Sequence, residues 1–261
     1  MILAADAGNT NIKLAVFEDD SLVMTTCLPT EIGKTPDTYS RDVLDLLHES
    51  GIEAVDIEAV VVSTVVPEVT KSFVEGIRKL SSKEPLIVGS DMKTGIEIKT
   101  DNPAELGPDR LVNASAAFHY YGGPVLVIDF GTATTYDVIT ERGELLGGVI
   151  SPGVGICAEA LWEKTARLPK ISVEKPRRVM GTNTVSSMKS GVYYGYVGQI
   201  EYFVRRLREE SGTDFKVIAT GGLSGIFKEN TSVIDVYDPD LTLKGLNYIF
   251  RRNLFFSSNV G

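Results

Sequence analysis

The chain is 261 residues long, 43% hydrophobic and 23% charged, a balance that suits one large globular domain or two of about 100–150 residues. Its formal net charge of −9, with no Lys/Arg run longer than two, argues against nucleic acid as the main partner. Two histidines and two cysteines, Cys27 and Cys157, lack metal-ligand spacing and give no material for a zinc site, and no stretch approaches the ~20 apolar residues of a membrane span. The start, Met1 to Asp6, is too short and lacks the basic flank of a signal peptide. A soluble, cytoplasmic protein with free thiols is expected.

In chain order, the apolar run Ile2–Ala5 ends in Asp6-Ala7-Gly8-Asn9-Thr10 and is followed by a second run, Ile12–Phe17, closed by Glu18. Short β-branched runs around a glycine predict strand, tight turn, strand. Helical spacing follows over 38–50, then a β-branched strand over 59–66 closed by Pro67, a helix over 68–80, and a strand over 86–88. Gly107-Pro108 opens a helix running to about Tyr121, with proline at a favoured first-turn position and Asp109 beside it. Gly122-Gly123-Pro124 ends it.

The second half echoes the first. Val125–Ile128 ends in Asp129-Phe130-Gly131-Thr132-Ala133-Thr134, and Tyr136–Thr140 ends in Glu141. Placing Asp6 on Asp129 also superposes Gly8 on Gly131, Ala15 on Val138 and Glu18 on Glu141 without a gap. Further elements are a strand at 147–150, helices over 156–164 and 186–210, a strand at 217–220 running into Gly221-Gly222, a helix over 223–228 and an edge strand at 233–236. Strands first and then alternating helices and strands, twice over, predict an α/β plan with mixed sheets. The expected domains are 1–118 and 119–261, each beginning with a βββ unit.

A phosphate site needs backbone N–H groups that can approach the anion, small side chains, and a carboxylate for Mg²⁺. Both Asp-x-Gly turns supply these. The chain has no Gly-x-x-x-x-Gly-Lys-[Ser/Thr], so it is not a P-loop enzyme, and no strand-to-helix Gly-x-Gly-x-x-Gly, which argues against a dinucleotide oxidoreductase. The two carboxylates could equally be plain turn caps, Asp109 could serve only the helix dipole, and Thr220-Gly221-Gly222 could be an ordinary turn or a bed for a flat base. Trp162 and the Tyr193-Tyr194-Tyr196 cluster read as core or dimer contact, and His119 as a helix-surface or locally packed residue.

Together these segments resemble the actin, Hsp70 and sugar-kinase superfamily and, within it, type III pantothenate kinase. The resemblance spans essentially the whole chain. It rests on Asp6-x-Gly8-Asn9-Thr10, Gly107-Pro108-Asp109-Arg110, Asp129-x-Gly131-Thr132-Ala133-Thr134-Thr135, and Gly148-x-Ile150-x-Pro152-Gly153. Thr165-Ala166-x-Leu168-Pro169, Gly181-x-x-Thr184, Thr220-Gly221-Gly222 and Asp240–Leu246 complete it. It implies two ribonuclease-H-like (actin-like ATPase) domains on a duplicated βββαβαβα plan, phosphorylation of pantothenate by ATP at the entry to coenzyme A synthesis, and a homodimer with the substrate site at its interface.

Residue by residue, the resemblance implies ATP contacts at Asp6, Ala7, Gly8, Asn9, Thr10, Asn11, Ile12, Lys13 and Thr132, with Asp6 holding Mg²⁺ through water. It implies Asp129 as ligand of an activating K⁺ or NH₄⁺, and substrate contacts at Gly107, Pro108, Asp109, Arg110 and Thr184. Asp109 would be the general base for the pantothenate hydroxyl, and the Arg110 fork suits the substrate carboxylate. Pro108 stands where a small residue such as alanine is expected; it removes a donor but suits a helix start. Two other readings keep the same scaffold: a non-catalytic nucleotide-binding regulator, and a superfamily kinase for another small molecule.

Overall fold

The structure, a computed structural model, describes residues 1–89 and 91–257. The first half contains β1 (Ile2–Ala7), β2 (Asn11–Glu18), β3 (Ser21–Pro29), α1 (Pro36–Glu49), β4 (Ala59–Thr64), α2 (Pro67–Ser81) and β5 (Leu86–Ile87). A two-residue strand β6 (Glu97–Ile98) precedes α3 (Pro108–Tyr121). The second half contains β7 (Val125–Phe130), β8 (Ala133–Ile139), β9 (Glu144–Pro152), α4 (Val154–Glu163), α5 (Thr184–Ser211), β10 (Lys216–Thr220), β11 (Val236–Tyr237) and α6 (Leu241–Ser257).

The first sheet runs β3-β2-β1-β4-β5, and the second β11-β10-β7-β8-β9-β6. In each, three leading strands form an antiparallel meander whose first strand pairs in parallel with the next strand along the chain. The order 3-2-1-4-5 is thus built twice, with β6 added at the β9 edge of the second sheet. The mixed sheets and the repeated plan agree with the sequence reading.

The echo is less regular than the gap-free superposition suggests. Ala7 pairs with Ile12, leaving a four-residue turn, 8–11, whereas Phe130 pairs with Thr134 and leaves only 131–133. On the returning strand the structural equivalent of Ala15 is therefore Asp137, not Val138: Ala4 faces Ala15, and Val127 faces Asp137. The short 223–228 helix is only a 3-10 turn, Ser224–Phe227, and the edge strand forms at Val236–Tyr237, beyond the expected 233–236.

Both central strands are apolar on both faces, as strands covered on two sides must be. Leu3, Ala5 and Ala7 of β1 face a core with Tyr39, Val43 and Leu47 of α1 and Phe73 and Ile77 of α2. Ile2 and Ala4 face the opposite core, with Val61 of β4 and Leu243, Leu246, Ile249 and Phe250 of α6. Each fully buried Leu, Ile or Phe contributes roughly 1.5–3 kcal/mol. α6 thereby returns the end of the chain to the first sheet. The chain divides into one compact unit of residues 1–96, 101–119 and the segment from Leu241, and a second of residues 97–100 and 120–240. A cut at 118/119 assigns α6 by sequence order to the second half, whereas its apolar face is buried on the first sheet.

In the second unit, Leu126, Ile128 and Phe130 of β7 and Val217 and Ala219 of β10 pack against Tyr193, Tyr196, Ile200 and Val204 of α5. The Tyr193 and Tyr196 rings are therefore core, while Tyr194 and Trp162 lie partly buried at its margin. Cys27 and Cys157 are both free thiols. Among the described residues no helix is long and apolar enough to cross a membrane.

Candidate active site

In the first unit, Asp6 is the penultimate residue of β1, flanked in register by Lys13 on β2 and Ser63 on β4. The turn after it is tied down from the end of β3. Thr30 Oγ1 donates to Gly8 O at 2.7 Å, Thr30 N donates to Thr10 O at 3.0 Å, and Gly8 N donates to Asn11 O at 3.0 Å. Asn9, Thr10 and Asn11 are left exposed, as a backbone cradle for an anion requires.

The same unit carries Gly107–Arg110 at the start of α3. Leu111 N donates to Gly107 O at 3.2 Å, closing the first helical turn. The Asp109 carboxylate folds over that turn: its Oδ1 accepts from Arg110 N at 2.9 Å, and a Cβ added to Gly107 would lie 2.5 Å from it. Glycine at 107 is thus the room in which the carboxylate sits. Pro108 occupies the first helical position without breaking the turn, as the proline–helix-start rule allows. The rest of α3 is anchored: Leu111 to Ala117 are buried, Thr242 Oγ1 donates to Asn113 Oδ1 at 2.7 Å, and Ser115 Oγ donates to Thr94 O at 2.6 Å. A carboxylate on the first turn of such a helix is held on a rigid element. Farther along α3, the His119 ring stacks on Tyr248 at 3.9 Å, so it packs locally.

In the second unit, Asp129 holds the place of Asp6. It is penultimate in β7, flanked in register by Thr135 on β8 and Thr220 on β10. Gly131 and Thr132 are exposed on the turn, and Thr134 is buried behind them. Gly221 has φ +91°, and a Cβ there would lie 2.6 Å from both Asp129 Oδ1 and Phe130 N; only glycine fits. Thr184 is the exposed first residue of α5, behind an Asn183 cap that accepts from Ser186 N at 2.9 Å. The helix therefore starts ahead of the expected 186, because the asparagine supplies the capping oxygen.

Two hydroxyl residues stand beside the carboxylates: Thr220, which heads the Thr220-Gly221-Gly222 segment read from sequence, and Ser63, which sequence alone does not single out. Ser63 Oγ and Thr220 Oγ1 are fully buried hydroxyl oxygens without a hydrogen-bond partner. Each sits on the strand next to a strand-end aspartate, in register with it. Paired residues on parallel strands project to the same face, so each unit places a carboxylate and an orphaned hydroxyl on one face. This all-oxygen donor set fits a hard cation. Among the described residues no three His, Cys, Asp or Glu converge. Ser63 lay hidden in a β-branched run, and its pairing with Asp6 is visible only once β4 is in place.

A family model described as type III pantothenate kinase matches residues 2–206. The type III pantothenate kinase of Agathobacter rectalis is 46% identical over 253 residues, covering 97% of each chain. The chain belongs to the type III pantothenate kinase family.

Solved structures reach the same fold with far less sequence in common. A Campylobacter jejuni protein assigned to the Baf family of transcriptional activators superposes with a TM-score of 0.60 at 18% identity, covering 97% of this chain and 99% of that one. Component A of the (R)-2-hydroxyglutaryl-CoA dehydratase of Acidaminococcus fermentans gives 0.57 at 12% identity, covering 97% and 98%. At such identities the likeness is one of fold alone. The chain carries a carboxylate at 109 and an arginine at 110, with Pro108 between them and Gly107.

Proposed function

We propose that this protein transfers the γ-phosphoryl group of ATP to the primary hydroxyl of pantothenate, giving ADP and 4′-phosphopantothenate, the first step of coenzyme A synthesis. The observation that carries the reading is Gly107–Arg110 on the first turn of α3, with the Asp109 carboxylate held over it, in a chain of this family. Asp109 accepts the proton of the attacking hydroxyl as the new O–P bond forms and the β–γ bridging bond breaks, leaving ADP. General-base assistance of this kind is worth about 10²–10⁴-fold. Arg110 pairs with the pantothenate carboxylate, and Thr184 and the Gly107-Pro108 backbone complete the substrate contacts.

The turn from Asp6 to Lys13 and Thr132 are proposed as the ATP contacts. Mg²⁺, held through water by Asp6, and K⁺ or NH₄⁺, held by Asp129, would offset phosphate charge that this chain has no Walker-type lysine to meet. The remaining parts of the proposal are two ribonuclease-H-like domains, a cytoplasmic location and a homodimer. The last is favoured by the exposed Val179 and Met180, 65% and 72% accessible, near Thr184 in the sequence. A homodimer requires a solution mass about twice 28.3 kDa by light scattering; a monomer across the working concentration range refutes it.

A non-catalytic regulator on the same scaffold would need no carboxylate at position 109, and Asp109 favours the kinase. ADP release should be followed over pantothenate, hexoses and glycerol with Mg²⁺ and K⁺ present. Turnover with pantothenate alone is the expected result, and none with pantothenate sinks the proposal.

A further inference from the structure

Behind the exposed turn 131–133 lies Thr134, fully buried. Its Oγ1 is 2.5 Å from the hydroxyl of Tyr196 on α5, and that hydroxyl is 2.8 Å from Pro152 O at the end of β9. A phenol has one proton, and a carbonyl can only accept. The Tyr196 proton therefore goes to Pro152 O, and Thr134 donates to the phenol oxygen. Burial raises the Tyr196 pKa above its ordinary value, which keeps it protonated near neutral pH.

A parallel link runs beside this one. Gln199 Nε2, one helical turn on, donates to Ser151 Oγ at 3.0 Å, and Ser151 Oγ donates to Thr134 O at 3.4 Å. Gly153 N donates to Thr132 O at 3.0 Å, closing the path from the turn through residues 151–153 to α5. The Tyr196 ring also stacks on Phe227 at 5.5 Å. Phe227 closes the 3-10 turn after Gly221-Gly222. Tyr193, on the same helix face, packs on that ring at 5.5 Å and donates to Ile226 O at 2.8 Å.

We propose that Tyr196 is a positioning residue for the transferred phosphate: through Thr134 and Pro152 it fixes the turn carrying Thr132, and through Phe227 the turn of Gly221-Gly222, to α5, the helix that begins at Thr184. One rail thus registers the turn carrying Thr132 and the Gly221-Gly222 turn against Thr184, the substrate-contacting residue of this unit. The inference rests on the kinase reading for the roles of Thr132 and Thr184, but the bracing itself is a matter of hydrogen bonds within the unit. Preorganised contacts of this kind act chiefly where transition-state charge develops.

Tyr196→Phe removes one hydroxyl and keeps the ring and its stacking. It strands Thr134 Oγ1 and leaves Pro152 O to the weak 3.8 Å donation from Cys157 Sγ, and losing these two bonds is expected to raise KM for ATP about tenfold, with KM for pantothenate changed less than about twofold. Thr134→Val should give the same split, and the double variant no more than either alone, because both delete one chain of bonds. Unchanged KM for ATP in both single variants overturns the proposal. So does a loss in which both KM values and kcat move together with thermal stability, which a merely structural role would give. Should Tyr196→Phe fail to fold, Thr134→Val decides by the same split. Calorimetric affinity for a non-hydrolysable ATP analogue, which carries the γ-phosphate, separates this inference from the kinase reading: absence of pantothenate turnover in the unaltered protein sinks that reading alone, while an analogue affinity unmoved by Tyr196→Phe sinks the bracing alone.

Discussion

Gly221 and Gly222 are neighbours in sequence, yet alanine should have opposite consequences at the two positions. At 221 the backbone has φ +91°, and an added Cβ would meet Phe130 N at 2.6 Å, Phe130 C at 2.7 Å and Asp129 Oδ1 at 2.6 Å. Positive φ costs a non-glycine residue about 1–2 kcal/mol. Unstrained carbon contacts lie near 3.5–4.0 Å, so β7 would have to retreat by most of an ångström, but it is hydrogen-bonded to β8 on one side and β10 on the other. Overpacking of this kind adds roughly 1–3 kcal/mol.

The total for Gly221→Ala is about 2–5 kcal/mol, which at roughly 2–4 °C per kcal/mol for a protein of this size lowers Tm by about 4–20 °C. Asp129 must also swing away, so the rate should need more potassium to saturate. At 222 a Cβ would meet nothing within 4 Å, and Gly222→Ala should leave Tm within about 1 °C, as an unstrained surface change does. Differential scanning fluorimetry of both variants, with a potassium titration of rate, tests this. Equal Tm values for the two variants refute the steric argument. A large fall in Tm with an unaltered potassium response refutes the link from Gly221 to Asp129.

Asp109→Asn should keep nucleotide affinity near that of the unaltered protein and lower kcat by at least about 10²-fold, as loss of a general base does; isothermal titration with ADP and steady-state rates measure the two. Asp129→Asn should weaken the dependence of rate on potassium while leaving KM for pantothenate nearly unchanged, which a titration of chloride salts of K⁺, NH₄⁺ and Na⁺ would reveal.

The turns that end β1 and β7 could be read from sequence because each joins a β-branched run, a terminal aspartate and a glycine. The start of α3 could be read because Gly107-Pro108 punctuates it. What escaped followed from pairing rather than composition. A gap-free match cannot see that one hairpin turn is a residue shorter than the other. β3 buries only Met24 and Leu28 well and leaves Leu22 and Val23 exposed at a sheet edge, so its short apolar run, residues 22–24, does not read as a strand, and with it went Thr30 as the clasp of the first turn. α6 carries apolar residues at helical spacing, Leu243, Leu246, Ile249 and Phe250, but their target, the first sheet, lies at the other end of the chain. Tyr196 and Thr134 are 62 positions apart, and no local pattern announces a bond over that distance.

Incubation with ATP, pantothenate, Mg²⁺ and K⁺, followed by mass and phosphorus-31 analysis of the acceptor, decides whether the proposed transfer takes place. Pantothenate should gain one phosphoryl group on its primary hydroxyl, with one ADP per product, and that product should be all but lost in Asp109→Asn. ADP formed without phosphorylated pantothenate, or product formed equally well by Asp109→Asn, would contradict it.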